Sequence, residues 1–329
     1  MSDRSGTSTF DGGDRDVIDQ CQRHPRFVRT ADSHSTCRTC PLCGQDSHLC
    51  FVKEDYPIRG CRVCGHQFTD YVPPPSHTDV VYGDQYFTGG GAGYADYLAE
   101  AELLRARGRR YARLLHRWIT PPGRLLDVGA AAGFLLAGFC DQGWTGEGVE
   151  PNERMATHAR TVLGLSVEAT TLEAAQLDRH YDLVSFIQVV AHFPDPLKAF
   201  QRADQLTRPG GFWLIETWNS ESLTARILGQ NWHEYSPPSV LHWFSRRSLR
   251  RVLLQLGYRQ VGIGTLGKWL NAGHAKSLLQ HKLAGTIAGR LVNRVATLFP
   301  DHLVIPYPSE DLFWAVFQKC QPRPCSSQS

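Results

Sequence analysis

Residues 125–134 read Leu125-Leu-Asp-Val-Gly129-Ala-Ala-Ala-Gly133-Phe134, and this stretch predicts a buried strand, a tight turn and the start of a helix. Gly129 permits the turn and the close approach of a ligand, while Gly133 lets the helix pack on the strand. A dinucleotide-binding turn would use a third glycine to admit a pyrophosphate, but Ala131 stands at that middle position. The turn therefore predicts a ligand-binding unit that disfavours a pyrophosphate.

An acidic residue follows at the distance that such a unit needs. Glu150 ends the short run Gly148-Val149 about 20 residues after Gly129, where it can accept hydrogen bonds from both ribose hydroxyls of an adenosine. Neither feature is specific by itself, but together they predict an adenosine-type cofactor.

The sequence beyond Gly123 alternates short apolar runs with helix-forming segments, which is typical of a parallel α/β sheet. Residues 97–118 before it predict a helix with one buried face. The predicted strands are Arg124–Val128, Gly146–Val149, Ser166–Ala169, Leu183–Ile187, Phe212–Glu216, Gln260–Thr265 and Leu312–Gln318.

Composition divides the chain of 329 residues into five segments. They are a disordered leader (1–36), a cysteine-rich module (37–75), an aromatic lid segment with a helix (76–120), a large α/β domain (121–320) and a tail (321–329). The leader lacks the apolar core of a secretory signal, and no run of 18 apolar residues occurs. We therefore expect a cytoplasmic protein with no membrane span.

The cysteine-rich module carries two Cys-x2-Cys pairs, Cys40/Cys43 and Cys61/Cys64, each followed by glycine. Two tight turns with two thiolates each match the tetrahedral coordination of structural zinc, so the spacing predicts a zinc ribbon. Cys37 and Cys40 offer a second register, and a set of free thiols is the alternative to a metal.

The charge of the chain gives little attraction for a phosphate backbone. Its formal net charge is only +3. Between Cys37 and Tyr71 four basic residues face four acidic ones, which makes the predicted ribbon neutral. We therefore expect no nucleic-acid partner.

Four blocks occur in order along the α/β domain: residues 126–133, residues 148–151, residues 181–196 with His192-Phe-Pro-Asp-Pro196, and residues 206–211. In this combination the sequence resembles the class I S-adenosylmethionine-dependent methyltransferases, in the broad group that includes ubiquinone-type methylases. The resemblance implies a Rossmann-like seven-stranded sheet with the last strand antiparallel and helices on both faces. It also implies S-adenosylmethionine as the cofactor.

The resemblance assigns roles to individual residues. The block of Asp127, Gly129, Ala131 and Gly133 would lie under the methionine part and Glu150 on the ribose. Thr171 and Leu172 would flank the adenine, and Gln188 would face the cofactor. Separately, Tyr86 is expected to fold over the cofactor as part of a lid with Tyr82 and Phe87, the alternative being a packed linker.

A hydroxyl acceptor needs a base, because a neutral alcohol is a poor nucleophile. His192 lies just before Asp195-Pro196, a predicted helix start that favours a neutral imidazole, so it is the first candidate. A histidine that only orders the turn is the alternative. His233 and Tyr235 are the other candidates, in a segment whose aromatic residues suit either a bulky acceptor or a core.

The predicted function is methyl transfer to a small-molecule acceptor of natural-product or sugar type, with O-methylation favoured over C-methylation. The alternatives are an RNA or protein methyltransferase that docks through the ribbon and an inactive cofactor-binding module. The arginines of residues 105–117 and 246–251 are expected on solvated helix faces, although a phosphate-bearing acceptor could also use them.

Overall fold

The structure, a computed structural model, describes residues 39–88, 96–271, 304–307 and 310–320. Its strands are β1 (Ser47–Lys53), β2 (Tyr56–Cys61), β3 (Gln67–Thr69), β4 (Arg124–Val128), β5 (Thr145–Val149), β6 (Ser166–Glu168), β7 (Tyr181–Ile187), β8 (Thr207–Trp218), β9 (His242–Trp243), β10 (Tyr258–Gly264), β11 (Lys268–Asn271), β12 (Val304–Tyr307) and β13 (Leu312–Lys319). Its helices are α1 (His77–Val81), α2 (Asp84–Thr88), α3 (Ala101–Leu115), α4 (Phe134–Cys140), α5 (Glu153–Thr161), α6 (Pro196–Leu206), α7 (Leu223–Leu228) and α8 (Arg246–Gln255). Among these helices none has the length and hydropathy of a membrane span.

The main sheet contains seven strands in the order β10-β13-β8-β7-β4-β5-β6. Strands β4 to β8 are parallel, and β13 is antiparallel to both of its neighbours. Each predicted strand overlaps one of these seven, because a strand buried on both faces is written as a short apolar run. The Rossmann-like sheet with its last strand antiparallel is confirmed.

Strand order reverses at β4, which lies between β5 and β7. In an open α/β sheet such a reversal leaves a crevice outside the carboxyl ends of the strands, and ligands bind there. The residues that follow β4, β5 and β7 therefore meet at one edge of the sheet.

Helices α3 and α4 pack with their backbones almost in contact. A Cβ on Gly108 would lie 2.2 Å from the Leu135 carbonyl oxygen, and a Cβ on Gly138 would lie 2.1 Å from the Arg105 carbonyl oxygen. Only glycine allows this approach at both positions. The close packing holds α3 beside the helix that starts at the glycine turn.

The cysteine-rich module forms a second sheet, β1-β2-β3-β9, whose last strand comes from the chain beyond β8. Cys61, Cys64 and Phe68 belong to the same hydrophobic cluster as Phe186 and Phe244. The predicted boundary at residue 75 stays a prediction, but the module and the α/β domain share a sheet and a core. The predicted leader and tail lie outside the described residues.

Candidate cofactor and active site

The turn after β4 is held against the end of β5. The amides of Gly129 and Ala130 donate to the Val149 carbonyl at 2.9 and 3.1 Å. Gly133 has φ +83°, and a Cβ on it would lie 2.9 Å from the Ala159 side chain. Ala131 has φ +47°, a conformation that costs energy for alanine and that the surrounding turn must impose.

Glu150 lies at the centre of this edge and is 4% exposed. Its Oε2 accepts from the Ala131 amide at 2.9 Å, and its Oε1 accepts from the Asn152 amide at 2.8 Å. Burial raises the pKa of Glu150 to about 6, and the two amides offset part of that effect. Each oxygen keeps a second lone pair, so the carboxylate can still accept two hydroxyl donors.

Asp127 provides a test of whether the edge fits a cationic cofactor. Its Oδ1 accepts from the Ser185 hydroxyl at 2.6 Å. Its Oδ2 is buried and has no hydrogen-bond partner among the described residues. Burial raises the pKa of Asp127 to about 7, with a further contribution from Glu150. S-adenosylmethionine carries an ammonium and a sulfonium, so this unpaired oxygen and the Glu150 carboxylate fit it.

Gln188, which directly follows β7, donates a hydrogen bond to one member of a buried ion pair that the sequence did not predict. Its Nε2 donates to Glu216 Oε1 at 2.9 Å. Arg107 Nη2 lies 2.5 Å from Glu216 Oε2, and the Tyr111 hydroxyl donates to the same oxygen. Gln188 also has φ +58°, so both its side chain and its backbone are constrained at the crevice.

The expectation that Arg107 lies on a solvated helix face is wrong, because Arg107 is only 8% exposed. It lies one helical turn before Tyr111, on the buried face of α3. Arginine periodicity along α3 carries no information about an acid on a strand more than 100 residues away. Arg105 and Arg109, on the other face, pair with Asp141 near the surface.

The structure also brings the predicted adenine-flanking residues to this edge. The Thr170 amide donates to the Glu150 carbonyl at 3.1 Å, so Thr171 and Leu172 follow directly beside Glu150. Leu172 is buried and Thr171 is half-buried. Their contact with an adenine stays a prediction.

The aromatic segment before α3 forms a chain of ring contacts that ends beside the glycine turn. The contacts run from Tyr82 through Tyr86, Phe87 and Tyr97 to Phe134, with centroid distances between 5.2 and 5.9 Å. Phe134 directly follows Gly133. This packing brings Tyr86 close to the predicted cofactor site, and its role as a lid stays a prediction.

The tautomer of His192 follows from its partner. Nδ1 lies 2.8 Å from the Ser239 carbonyl oxygen. A carbonyl can only accept, so Nδ1 carries the proton and Nε2 keeps the lone pair. Burial lowers the pKa of His192, with the carbonyls of Ser239 and Gln188 opposing. A neutral imidazole with a fixed Nε2 lone pair is chemically able to accept a proton.

The other two candidate bases have different surroundings. The Tyr235 hydroxyl donates to Gln67 Oε1 at 2.7 Å, and its ring packs edge-on against Phe51, so Tyr235 lies in the interface with the cysteine-rich module. His233 has its Nε2 3.2 Å from Glu234 Oε1, and its ring lies edge-on to Trp218. Both assignments stay predictions.

The aromatic residues between Trp218 and Phe244 are divided between the hydrophobic core and half-buried positions. Trp232, Trp243 and Phe244 are at most 2% exposed, which places them in the core. Trp218 is half-buried and packs against the hydrophobic cluster that contains Ala191, the neighbour of His192.

Four cysteine sulfurs converge in the module. The sulfurs of Cys40, Cys43, Cys61 and Cys64 all lie within 4.8 Å of one another. The Cys40–Cys64 and Cys43–Cys61 separations are 3.7 and 3.5 Å. Zinc–sulfur bonds of about 2.3 Å in a tetrahedron give sulfur separations of about 3.8 Å. The donor set fits a structural zinc ion, while Cys37, which offered the second register, lies outside the described residues.

Comparison with known families gives a match over residues 102–262, which fit the model of a methyltransferase domain. The ubiquinone biosynthesis O-methyltransferase of Leptothrix cholodnii is 28% identical over 144 residues, which are 36% of this chain and 61% of that protein. The protein of the same name from Vibrio cholerae is 35% identical over 103 residues, 29% of this chain and 42% of that protein. The chain thus spans about half the length of these curated relatives.

A solved structure with a similar trace is the 1,6-didemethyltoxoflavin-N1-methyltransferase of Burkholderia thailandensis. It was determined with bound 1,6-didemethyltoxoflavin and S-adenosylhomocysteine. Its TM-score is 0.49 at 15% identity, over 84% of this chain and 99% of that one.

Proposed function

We propose that this chain, which belongs to the class I S-adenosylmethionine-dependent methyltransferases, transfers a methyl group from that cofactor to a small-molecule acceptor. O-methylation is favoured over C-methylation, and the acceptor is of natural-product or sugar type. The observation that carries the proposal is the buried pair of Glu150 and Asp127 at the switch point of the sheet, 4% and 1% exposed. Two buried carboxylates in one crevice are costly unless a donor-rich, cationic ligand compensates them.

The cofactor supplies an electrophilic methyl group on a sulfonium. In the proposal Glu150 binds the ribose, Asp127 faces a positive charge, and the turn from Gly129 to Gly133 orients the reacting end. Alignment of nucleophile and methyl group can contribute about 7–11 kcal/mol at best. The chain then has to exclude water and, for a hydroxyl acceptor, remove a proton.

The preference for oxygen rests on His192 and on the names of the relatives. The Ser239 carbonyl fixes the tautomer that leaves Nε2 able to accept a hydroxyl proton. The curated relatives reported above are O-methyltransferases by name. The half-buried Trp218 packs against the hydrophobic cluster that includes Ala191, the neighbour of His192, and offers a ring on which an aromatic or sugar acceptor would stack.

The proposal includes a structural zinc ion bound by Cys40, Cys43, Cys61 and Cys64. The module contributes its polar and aromatic residues to contacts with the α/β domain, such as Tyr235 with Gln67. A surface used in this way supports a structural role for the module rather than docking of a macromolecule.

The test uses S-adenosylmethionine with an isotope-labelled methyl group and a panel of phenolic, catecholic and nucleotide-sugar acceptors. Mass spectrometry detects transfer, and the chemical shift of the labelled carbon distinguishes an O-methyl from a C-methyl product. An oxygen-bound label in a small molecule supports the proposal, and a carbon-bound label corrects its preference. Stoichiometric cofactor binding with no transfer to any acceptor would favour a non-catalytic binding role.

A further inference from the structure

The cysteine-rich module is joined to the neighbourhood of His192 by a continuous backbone ladder. In the β3–β9 pair Gln67 lies opposite Trp243 and Phe68 opposite His242. Beyond it the Thr69 amide donates to the Leu241 carbonyl at 2.9 Å. Residues 241–243 therefore extend the module's own sheet, and Ser239 and Val240 directly precede them in the chain.

Residues 239–243 in turn hold the loop that carries His192. The amides of Leu241 and His242 both donate to the Ala191 carbonyl, at 2.9 and 3.0 Å. The Ser239 carbonyl accepts from His192 Nδ1 at 2.8 Å. Movement of residues 239–243 would therefore move both the backbone and the imidazole of the candidate base.

A pair of buried histidines adds a side-chain connection between the module and this loop. His242 Nε2 lies 3.0 Å from the Phe193 carbonyl oxygen, and His242 Nδ1 lies 3.1 Å from His66 Nε2. The carbonyl can only accept, so a neutral His242 carries its proton on Nε2 and accepts on Nδ1. His66 Nε2 must then be the donor.

The position of His66 ties this donor to the predicted metal turn. It follows Cys64-Gly65 directly, and its ring is 0% exposed. The same turn is anchored from the other side, because Arg251 Nη1 donates to the Val63 carbonyl at 2.6 Å. The turn therefore fixes the position of His66, which is linked through His242 to the Phe193 carbonyl, in the residue after His192.

We propose that His66 is a positioning residue that couples the four-cysteine module to the His192 loop through His242 and thereby orients the His192 imidazole. The inference rests on the proposed function, in which His192 accepts the acceptor's proton. Mere stabilisation would not call for two buried imidazoles. Apolar side chains of similar size would fill the same space without leaving a polar atom such as His66 Nδ1, which has no hydrogen-bond partner among the described residues. The directed bond from His66 Nε2 to His242 Nδ1, in contrast, specifies one geometry.

The test compares three variants of the full chain labelled with nitrogen-15 in its histidines. His66→Phe removes the donor but keeps a ring for the contacts with Phe68 and Phe244, whose centroids lie 6.1 and 4.6 Å away. His66→Gln restores an N–H donor near the place of Nε2. His180→Phe makes the first substitution at an exposed histidine and is the matched control.

The measurement is the nitrogen-15 NMR chemical shift of the two His192 ring nitrogens, whose signals are assigned by their disappearance in His192→Gln. Wild-type protein should show the Nδ1–H tautomer. In His66→Phe the ratio of the Nδ1–H to the Nε2–H tautomer should fall about fivefold, the equivalent of one ordinary hydrogen bond. His66→Gln and His180→Phe should keep the wild-type shifts.

Unchanged His192 shifts in a folded His66→Phe, with wild-type metal content, would overturn the inference. If that variant does not fold, the wild-type protein still decides, since an N–H···N bond between His66 and His242 transmits a nitrogen–nitrogen coupling. Absence of that coupling would also overturn it. Failure of the proposed function would instead appear as absent cofactor binding or methyl transfer by wild-type protein, and neither readout depends on the His192 shift.

Discussion

Replacement of Glu150 by alanine perturbs the cofactor site most directly. The carboxylate is placed to accept the two ribose hydroxyls, and a hydrogen bond to a charged group contributes about 1.5–3 kcal/mol. The pKa of about 6 shows that its ionised form is already costly in the free protein, which offsets part of the gain from a second bond. We therefore expect a loss near one such bond, or about a 10- to 150-fold weaker Kd for S-adenosylmethionine.

Titration calorimetry on the purified chain measures this change. Thermal unfolding must accompany it, because Glu150→Ala leaves the amides of Ala131 and Asn152 without their acceptor. Glu153→Gln is the matched control, since it removes an acid at an exposed position in the first turn of α5. It should bind the cofactor like the wild type.

The pH dependence supplies a second readout of the same residue. The ionised carboxylate is the binding form and its pKa is about 6, so wild-type affinity should fall as the pH decreases below 6. Asp127, whose pKa is about 7, contributes to the same range, and the difference between wild type and Glu150→Ala isolates Glu150. A folded Glu150→Ala with a Kd within about threefold of wild type would refute the ribose assignment.

Four further outcomes are expected. His192→Gln should lower kcat by about 10²–10⁴-fold with little change in cofactor affinity. In the wild type, activity should rise with pH in the range below pH 6.5, because burial and, to a smaller extent, His77 lower the pKa of His192, and His192→Gln should remove this rise. A rate within threefold of wild type in His192→Gln would exclude His192 as the base. Cys43→Ser should lose zinc by elemental analysis and unfold at a lower temperature; wild-type protein purified without chelator and free of zinc would reject the site. Gly138→Ala should lower the free energy of unfolding in urea by about 1–3 kcal/mol, because its Cβ would meet the Arg105 carbonyl; unchanged stability contradicts the close helix contact. Cofactor binding near pH 7 should release a proton from Asp127, seen as a buffer-dependent binding enthalpy that Asp127→Asn abolishes, and equal enthalpies in all buffers for wild type would argue against it.

Local patterns in the sequence were enough to predict the main sheet and the glycine turn after β4. Strands buried on both faces are written as short apolar runs, and the turn from Gly129 to Gly133 needs glycines at defined places. Each Cys-x2-Cys pair needs only one tight turn, so the placement of its two sulfurs is also encoded within a few residues. Such features depend on neighbours along the chain.

Contacts between side chains that are distant in the sequence could not be predicted from local patterns. The sequence pattern of α3 does not distinguish Arg107 from a solvated arginine, and only the packing of α3 beside β8 brings it to Glu216. Nothing in the local sequence around Tyr235 indicates that its hydroxyl will donate a hydrogen bond to Gln67 Oε1.

The fold class, the glycine turn with Glu150 and the metal-ligand spacing could be predicted from the amino-acid order, because each is a local pattern of φ preference, apolar period or donor spacing. The addition of β9 to the module's sheet and the contact between His66 and His242 are visible only in the folded chain. A side chain's periodicity specifies which face it presents. Its partner depends on the packing of elements that lie far apart in the chain, and in this protein that packing connects the four-cysteine module to the loop of His192.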